Sequence, residues 1–93
     1  MMIKTWKHKG LKELFETGHS RRVRPDLLKR ALLALDALEA ASKPSDLDVP
    51  GFSFHPLRGQ RPTRYSIHIN GPWCITFEFK DGEAHRVNLE QYH

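Results

Sequence analysis

The 93 residues predict an α+β domain in which two helices of the N-terminal half pack on a small, mainly antiparallel sheet. Three observations carry that prediction. Leu28, Leu32, Leu35 and Leu38 recur on one face, as an amphipathic helix requires. Tyr65, Ile67 and Ile69 alternate with polar residues, and after Asn70-Gly71-Pro72 the alternation resumes with Trp73, Ile75, Phe77 and Phe79, which together read as a hairpin. A second turn signal at Asp81-Gly82 leads to Val87 and Leu89, and so to a third strand.

In chain order, residues 2–6 read as a short first strand. Residues 8–17 follow as a helix, with Leu11, Leu14 and Phe15 at helical spacing and Gly18 as its stop. Pro25 and Asp26 suit the first turn of the leucine helix, which Ser42-Lys43-Pro44 ends. Residues 44–51 form a connector with two prolines and acidic residues that keep it solvated. For the hairpin, a loop over residues 70–72 sets Ile69 against Trp73, Ile67 against Ile75, Tyr65 against Phe77 and His68 against Cys74. A three-residue loop over 81–83 then sets Phe77 against Val87, Ile75 against Leu89, Thr76 against Asn88 and Cys74 against Glu90. One face of the sheet thereby receives the leucine helix. The other gathers Arg64, His68, Cys74, Arg86, Glu90 and Tyr92, a concave polar face and the expected site. Trp6 and Trp73 alternate with polar neighbours as core residues do.

The length supports one domain over residues 1–93. The formal charge of +4 conceals an uneven distribution. Residues 1–30 carry nine lysines and arginines against Glu13, Glu16 and Asp26; residues 31–53 are acidic; and between residues 54 and 77 Arg58, Arg61 and Arg64 meet no acid. Basic surface of this kind favours a polyanion such as nucleic acid or the ribosome. Lys7, Lys9, Lys12, Arg21, Arg22 and Arg24 are either a solubilising face or a grip on ribosomal RNA through phosphates, which positions without reading sequence. The single Cys74 excludes an internal disulfide and a multi-cysteine metal site. Six histidines show no His-x-His or HExxH spacing, so neither a metal nor another cofactor is expected. No apolar run approaches the roughly 18 residues of a membrane span, and the first twelve residues are too charged for a signal peptide. The expected location is cytoplasmic, without membrane contact.

The last forty residues place His55, Arg58, Arg61, Arg64, His68, Tyr92 and His93 around the expected strands. Imidazoles, guanidiniums and a phenol, with no metal-ligand spacing among them, suit cleavage of an RNA phosphodiester. Attack of a ribose 2′-hydroxyl needs a base, an acid for the leaving oxygen and cations on the phosphoryl oxygens. Imidazole moves protons near neutrality, and the guanidinium fork matches two phosphate oxygens. His8 and His19 read as surface residues, His85 as incidental beside a turn, and Cys74 as a passive filler of the polar face.

The opening segment MIKTWKHKGLKELFETG over residues 2–18 resembles the start of HigB-type toxins of the RelE superfamily. His55-Pro56-Leu57-Arg58-Gly59, Tyr65-Ser66-Ile67, Trp73 with the following Ile-Thr-Phe, and the terminal Tyr92-His93 resemble that family's later blocks in order and spacing. The resemblance spans essentially the whole chain. It implies a RelE-like fold and a toxin of a type II toxin-antitoxin system, a ribosome-dependent endoribonuclease that cuts messenger RNA, halts translation and needs no metal. It also implies a HigA-type antitoxin as partner, through which alone operator DNA is contacted. By the same resemblance His55 is the leading acid/base residue, Arg58 a phosphate contact where the family often has lysine, and Tyr92 and His93 site residues.

The chain departs from the family pattern at three places. Cys74 stands where an arginine usually follows the tryptophan, His68 where another arginine is common, and Gln91 where an acid often precedes the terminal Tyr-His. Arg61, Arg64 or Arg86 could reach the phosphate in compensation, with His68 sharing proton transfer. The alternative is an attenuated toxin-fold protein that binds ribosome or antitoxin without efficient cleavage. A gyrase-directed toxin of the ParE branch fits the His55 and Tyr92-His93 blocks poorly.

Overall fold

The structure, a computed structural model, describes residues 1–91. Tyr92 and His93, both expected in the site, lie outside the described residues. Strand β1 (Met2–Ile3) is followed by helix α1 (Lys9–Thr17), helix α2 (Leu28–Ala40) and strands β2 (His55–Leu57), β3 (Arg64–Asn70), β4 (Trp73–Lys80) and β5 (Glu83–Gln91). The five strands form one sheet in the order β1-β5-β4-β3-β2, antiparallel except for the parallel β1–β5 pair. The two helices in the first half and this sheet form the expected α+β arrangement.

The first strand is shorter than the expected 2–6. Regular pairing stops at Ile3, and a lone parallel bridge joins Trp6 to Val87. The segment then turns into α1 at His8, which does not take the surface role expected of it. His8 is the N-cap: its Nδ1 accepts from the Leu11 N–H at 3.1 Å. Gly10 is required beside it, because a Cβ there would come within 2.7 Å of both Arg22 Cβ and the His8 ring.

Accepting this bond requires a neutral ring, and burial, the largest cause, pushes the His8 pKa below its ordinary 6.5. A hydrogen bond to the backbone opposes that shift, while the positive charge of Arg22 adds to it. The unfolded chain therefore takes up a proton first on acidification. The cap contributes fully above pH 6.5 and is lost as pH falls through the lower folded-state value. We expect His8→Ala to cost about 1 kcal/mol at pH 7.5 and less near pH 5; urea melts showing the same cost at both pH values would refute the cap's protonation dependence.

Residues Pro25–Leu27 form a 3-10 turn before α2 begins. The buried seam of α2 and its lead-in is Leu27, Ala31, Ala34, Leu35 and Leu38, with Leu28 and Leu32 only partly buried beside it. The alanines correct the all-leucine stripe, since small side chains let the helix lie close to the sheet. The connector also departs from a wholly solvated loop. Pro44–Leu47 is a 3-10 turn that buries Leu47, and the Asp46 carboxylate accepts from the N–H groups of Ser42 and Lys43.

In β3 and β4 the pairs Tyr65–Phe77, Ile67–Ile75 and His68–Cys74 stand as expected, but Trp73 faces Asn70, not Ile69. The turn is two residues long, with Gly71 at φ +55, and Ile69 falls in a bulge that still buries it. At the second turn Asp81 and Gly82, both at positive φ, close a two-residue loop that pairs Lys80 with Glu83. The expected Phe77–Val87 pair gives way to a bulge: Arg86 and Val87 together lie opposite Phe77, between His85–Glu78 and Asn88–Thr76. The expected Ile75–Leu89 and Cys74–Glu90 pairs are restored beyond it. The bulge lets Ala84 and Val87, three residues apart, both enter the core with Leu11, Leu14, Ile67, Ile75 and Phe77.

Candidate functional site

Cross-strand partners share a face, so the face of the sheet away from the helices can be read in rows. His55, Ser66, Thr76 and Asn88 make one row; His68, Cys74 and Glu90 make a second; Leu57, Arg64, Glu78 and His85 make a third. Ser66 and Thr76 are fully buried in the middle of this polar layer.

His55 is exposed on the edge strand β2, and its segment is anchored from the other face. Phe54 stacks on Tyr65 at 5.5 Å between ring centroids, and Tyr65 on Phe77 at 5.6 Å. The His55 Nδ1 lies 2.7 Å from the carbonyl oxygen of Ser53, a residue held at φ +45. A carbonyl can only accept, so Nδ1 carries the proton and Nε2 is left with its lone pair outward. That is the tautomer a general base at Nε2 needs. His68 is tied differently, its Nε2 donating to the Gly71 carbonyl at 2.9 Å, so that its ring braces the β3–β4 turn.

Arg64 takes a place that the sequence does not announce. Its side chain is only 11% exposed. Nη1 donates to Glu78 Oε2 at 2.6 Å, and Nη2 donates to Thr76 Oγ1 at 2.9 Å and to the Arg86 carbonyl at 3.0 Å. Thr76 in turn donates to Glu90 Oε2, which lies 3.9 Å from Arg64 Nη2. The guanidinium expected to contact phosphate is thus committed inside the sheet, where it binds β3, β4 and β5 together.

Arg86 emerges from the bulge with φ +51, its N–H donating to Thr5 Oγ1 at 2.8 Å. Its Nε lies 3.1 Å from Glu78 Oε2, and its side chain is 58% exposed. A bulge that re-aims a side chain beside a cleft is a common device. The sequence signal for it is the polar pair His85-Arg86 between two core positions, where strict alternation allows one polar residue.

Lys7, Arg61, Arg64 and Arg86, with Gln60, Pro62, Glu78 and Glu90, line a cleft of about 390 Å³ on this face. Four cations against two carboxylates leave its walls at +2. The structure therefore brings Arg61, Arg64 and Arg86 together and adds Lys7 from the N-terminal segment. It leaves His55, Arg58 and His68 off the cleft wall, Arg58 being exposed in the turn after β2. Cys74 is 7% exposed between His68 and Glu90, its Sγ 4.0 Å from the Pro72 carbonyl. Of the other basic residues, Lys9, Lys12, Arg21 and Arg22 are exposed. Arg24 is engaged, in a two-bond pair with Asp26 at 3.0 and 3.1 Å and 5.9 Å from the centroid of the Trp73 ring. Trp73, expected in the core, is half-buried under it.

Residues 4–93 match the family model described as RelE-like toxin of type II toxin-antitoxin system HigB. The chain belongs to the HigB-like toxin family. Among curated members, it is 40% identical over 92 residues to a Proteus vulgaris protein named Endoribonuclease HigB, covering 99% of this chain and all of that one. It is 31% identical over 93 residues to Toxin HigB-1 of Vibrio cholerae serotype O1, with 98% of each chain covered. In this family member no helix among the described residues is long and apolar enough to cross a membrane.

Proposed function

We propose that this HigB-family chain is the toxin of a type II toxin-antitoxin system, a ribosome-dependent endoribonuclease that cuts messenger RNA without a metal ion and is neutralised by a HigA-type antitoxin. The observation that carries the reading is the full-length likeness to a relative named as an endoribonuclease, joined to the exposed His55 whose Nε2 is left free to take a proton. In this reading His55 acts as base on the ribose 2′-hydroxyl. Arg58 bears the charge that develops on the phosphoryl oxygens. Tyr92 and His93 complete the site, and Lys9, Lys12, Arg21 and Arg22 hold ribosomal RNA through phosphates.

The test is induction of the protein in cells lacking its antitoxin, with 5′ ends mapped on translated and untranslated copies of one message. Cuts confined to the translated copy are the expected result. Cuts on both copies would remove the ribosome from the reading, and none from soluble, ribosome-bound protein would remove the nuclease.

Cys74 favours the second reading, a toxin fold that binds without efficient cutting, because a small buried thiol supplies no cation where the family pattern has arginine. Restoring that charge separates the two. With one electrostatic contact to the transition state worth about 10²-fold, Cys74→Arg is expected to speed cutting ten-fold or more if the wild-type site is attenuated. An unchanged rate would mean that other cations already fill the role.

A further inference from the structure

Three cations of the cleft come from three separate parts of the chain: Lys7 after β1, Arg61 in the β2–β3 loop and Arg86 in the β5 bulge. Among the described residues Lys7 and Arg61 form no side-chain hydrogen bond or ion pair, and Arg86 offers only its Nε, to Glu78, leaving both terminal nitrogens open. Beneath them Arg64 spends its guanidinium on Glu78, Thr76 and the Arg86 carbonyl. That separates a buried arginine that builds the cleft floor from three exposed cations that face outward. The Glu78 carboxylate, shared by Arg64 and Arg86, sits where an incoming anion would compete for Arg86.

One residue of the cleft wall, Arg64, stands in the row next to the one that carries His55. Ser66, the partner of His55, is two residues along β3 from Arg64, about 7 Å in a strand. A chain of phosphates laid across this face would meet the three cations on one side of His55.

We propose that Lys7, Arg61 and Arg86 form a phosphate subsite for single-stranded RNA, flanking the position of the scissile bond, and that Glu78 occupies Arg86 until the RNA displaces it. The subsite deepens the nuclease reading, but its test does not depend on cleavage. The bulge holds Arg86 in the left-handed region, with its N–H on Thr5 and its carbonyl on Arg64, and so turns its charged side chain out toward the cleft. The subsite contacts backbone alone, so it fixes where the strand lies without selecting sequence.

The experiment is fluorescence anisotropy with a labelled 2′-O-methyl single-stranded oligonucleotide, which cannot be cut, titrated with protein at several salt concentrations. Each phosphate contact on a single strand contributes about 0.7 to the slope of log affinity on log salt, which makes one contact worth about eight-fold at roughly 0.05 M salt. Lys7→Met, Arg61→Gln and Arg86→Asn are each expected to weaken binding by about that factor and to lower the slope by about 0.7. Asparagine at 86 tolerates the positive φ, and thermal melts check that each variant folds. Lys29→Gln removes the same charge from the outer surface of α2 and should change binding little. Glu78→Gln should tighten it, since the competing anion is gone.

Wild-type affinity and slope in the three cleft variants would overturn the subsite, as would losses no larger than that of Lys29→Gln. A base-paired hairpin that binds more tightly than the single strand, with the same dependence on Lys7 and Arg86, would assign these cations to structured RNA and also overturn it. Failure to cut in cells with these binding losses intact would count against the nuclease reading and leave the subsite standing.

Discussion

His55→Ala should lower cutting of a ribosome-bound message by about 10²- to 10⁴-fold, the usual weight of a positioned general base, while leaving the fold intact. His55 is exposed on the edge strand, its side chain bonds only the Ser53 carbonyl among the described residues, and the anchoring of its segment comes from the Phe54–Tyr65–Phe77 stack on the opposite face. Truncating the imidazole therefore removes the free Nε2 without opening the core. Purified ribosomes programmed with one message, followed at a single turnover, would report the rate, and a urea melt would report the fold. A variant that melts like the wild type and cuts at the wild-type rate would move proton transfer away from His55. A residual rate well above background would point to a shared role for a second group on the same face.

Arg64→Met should be the most destabilising polar substitution in the molecule, by about 3–5 kcal/mol. The methionine fills much the same volume, so packing is not the main loss. What is lost is a guanidinium that satisfies the Arg86 carbonyl, the Thr76 hydroxyl and the Glu78 carboxylate together. Glu78 keeps Arg86 as a partner, but the Arg86 carbonyl and the Glu90 carboxylate lose their nearby charge within a poorly solvated layer. Arg86→Asn should cost under about 1 kcal/mol by comparison, because its ion pair is half in water. Denaturant melts of both variants test the ranking, and equal costs would show that Arg64 is no pillar. Combining Arg64→Met with Glu78→Leu should cost less than the two changes added, since one removes the charge that the other strands.

Much of the secondary structure follows from local pattern. The alternation through residues 65–79 selects a hairpin because only period two puts Ile67, Ile75 and Phe77 on one face, and the stripe through α2 selects a helix for the corresponding reason at period 3.6. The register near the middle of both hairpins was readable for the same cause: a slip by one would carry every apolar residue to the polar side. The ends were not. Residues 70–72 and 81–83 fit two- and three-residue turns about equally, and a bulge restores the register in either case, so turn length and bulge position trade against each other without disturbing the core pairs.

The amino-acid sequence by itself determined the fold class, the helix and strand identities and the family, because these rest on periodicities and blocks that survive small shifts of register. It also singled out His55 as an exposed polar residue beside a strand. Only the tertiary structure decided what the arginines do. Arg61, Arg64 and Arg86 look alike in one dimension, yet Arg64 lies in a layer where Glu78 and Glu90 neutralise it, whereas the bulge turns Arg86 out into the cleft beside Lys7, a residue 79 positions earlier in the chain. The role of an ionic side chain is set by its depth and by which charges reach it, and both are products of long-range packing. For the same reason His8 became a helix cap: the ring that reads as surface in the sequence is folded under the chain and must stay neutral to accept the Leu11 N–H.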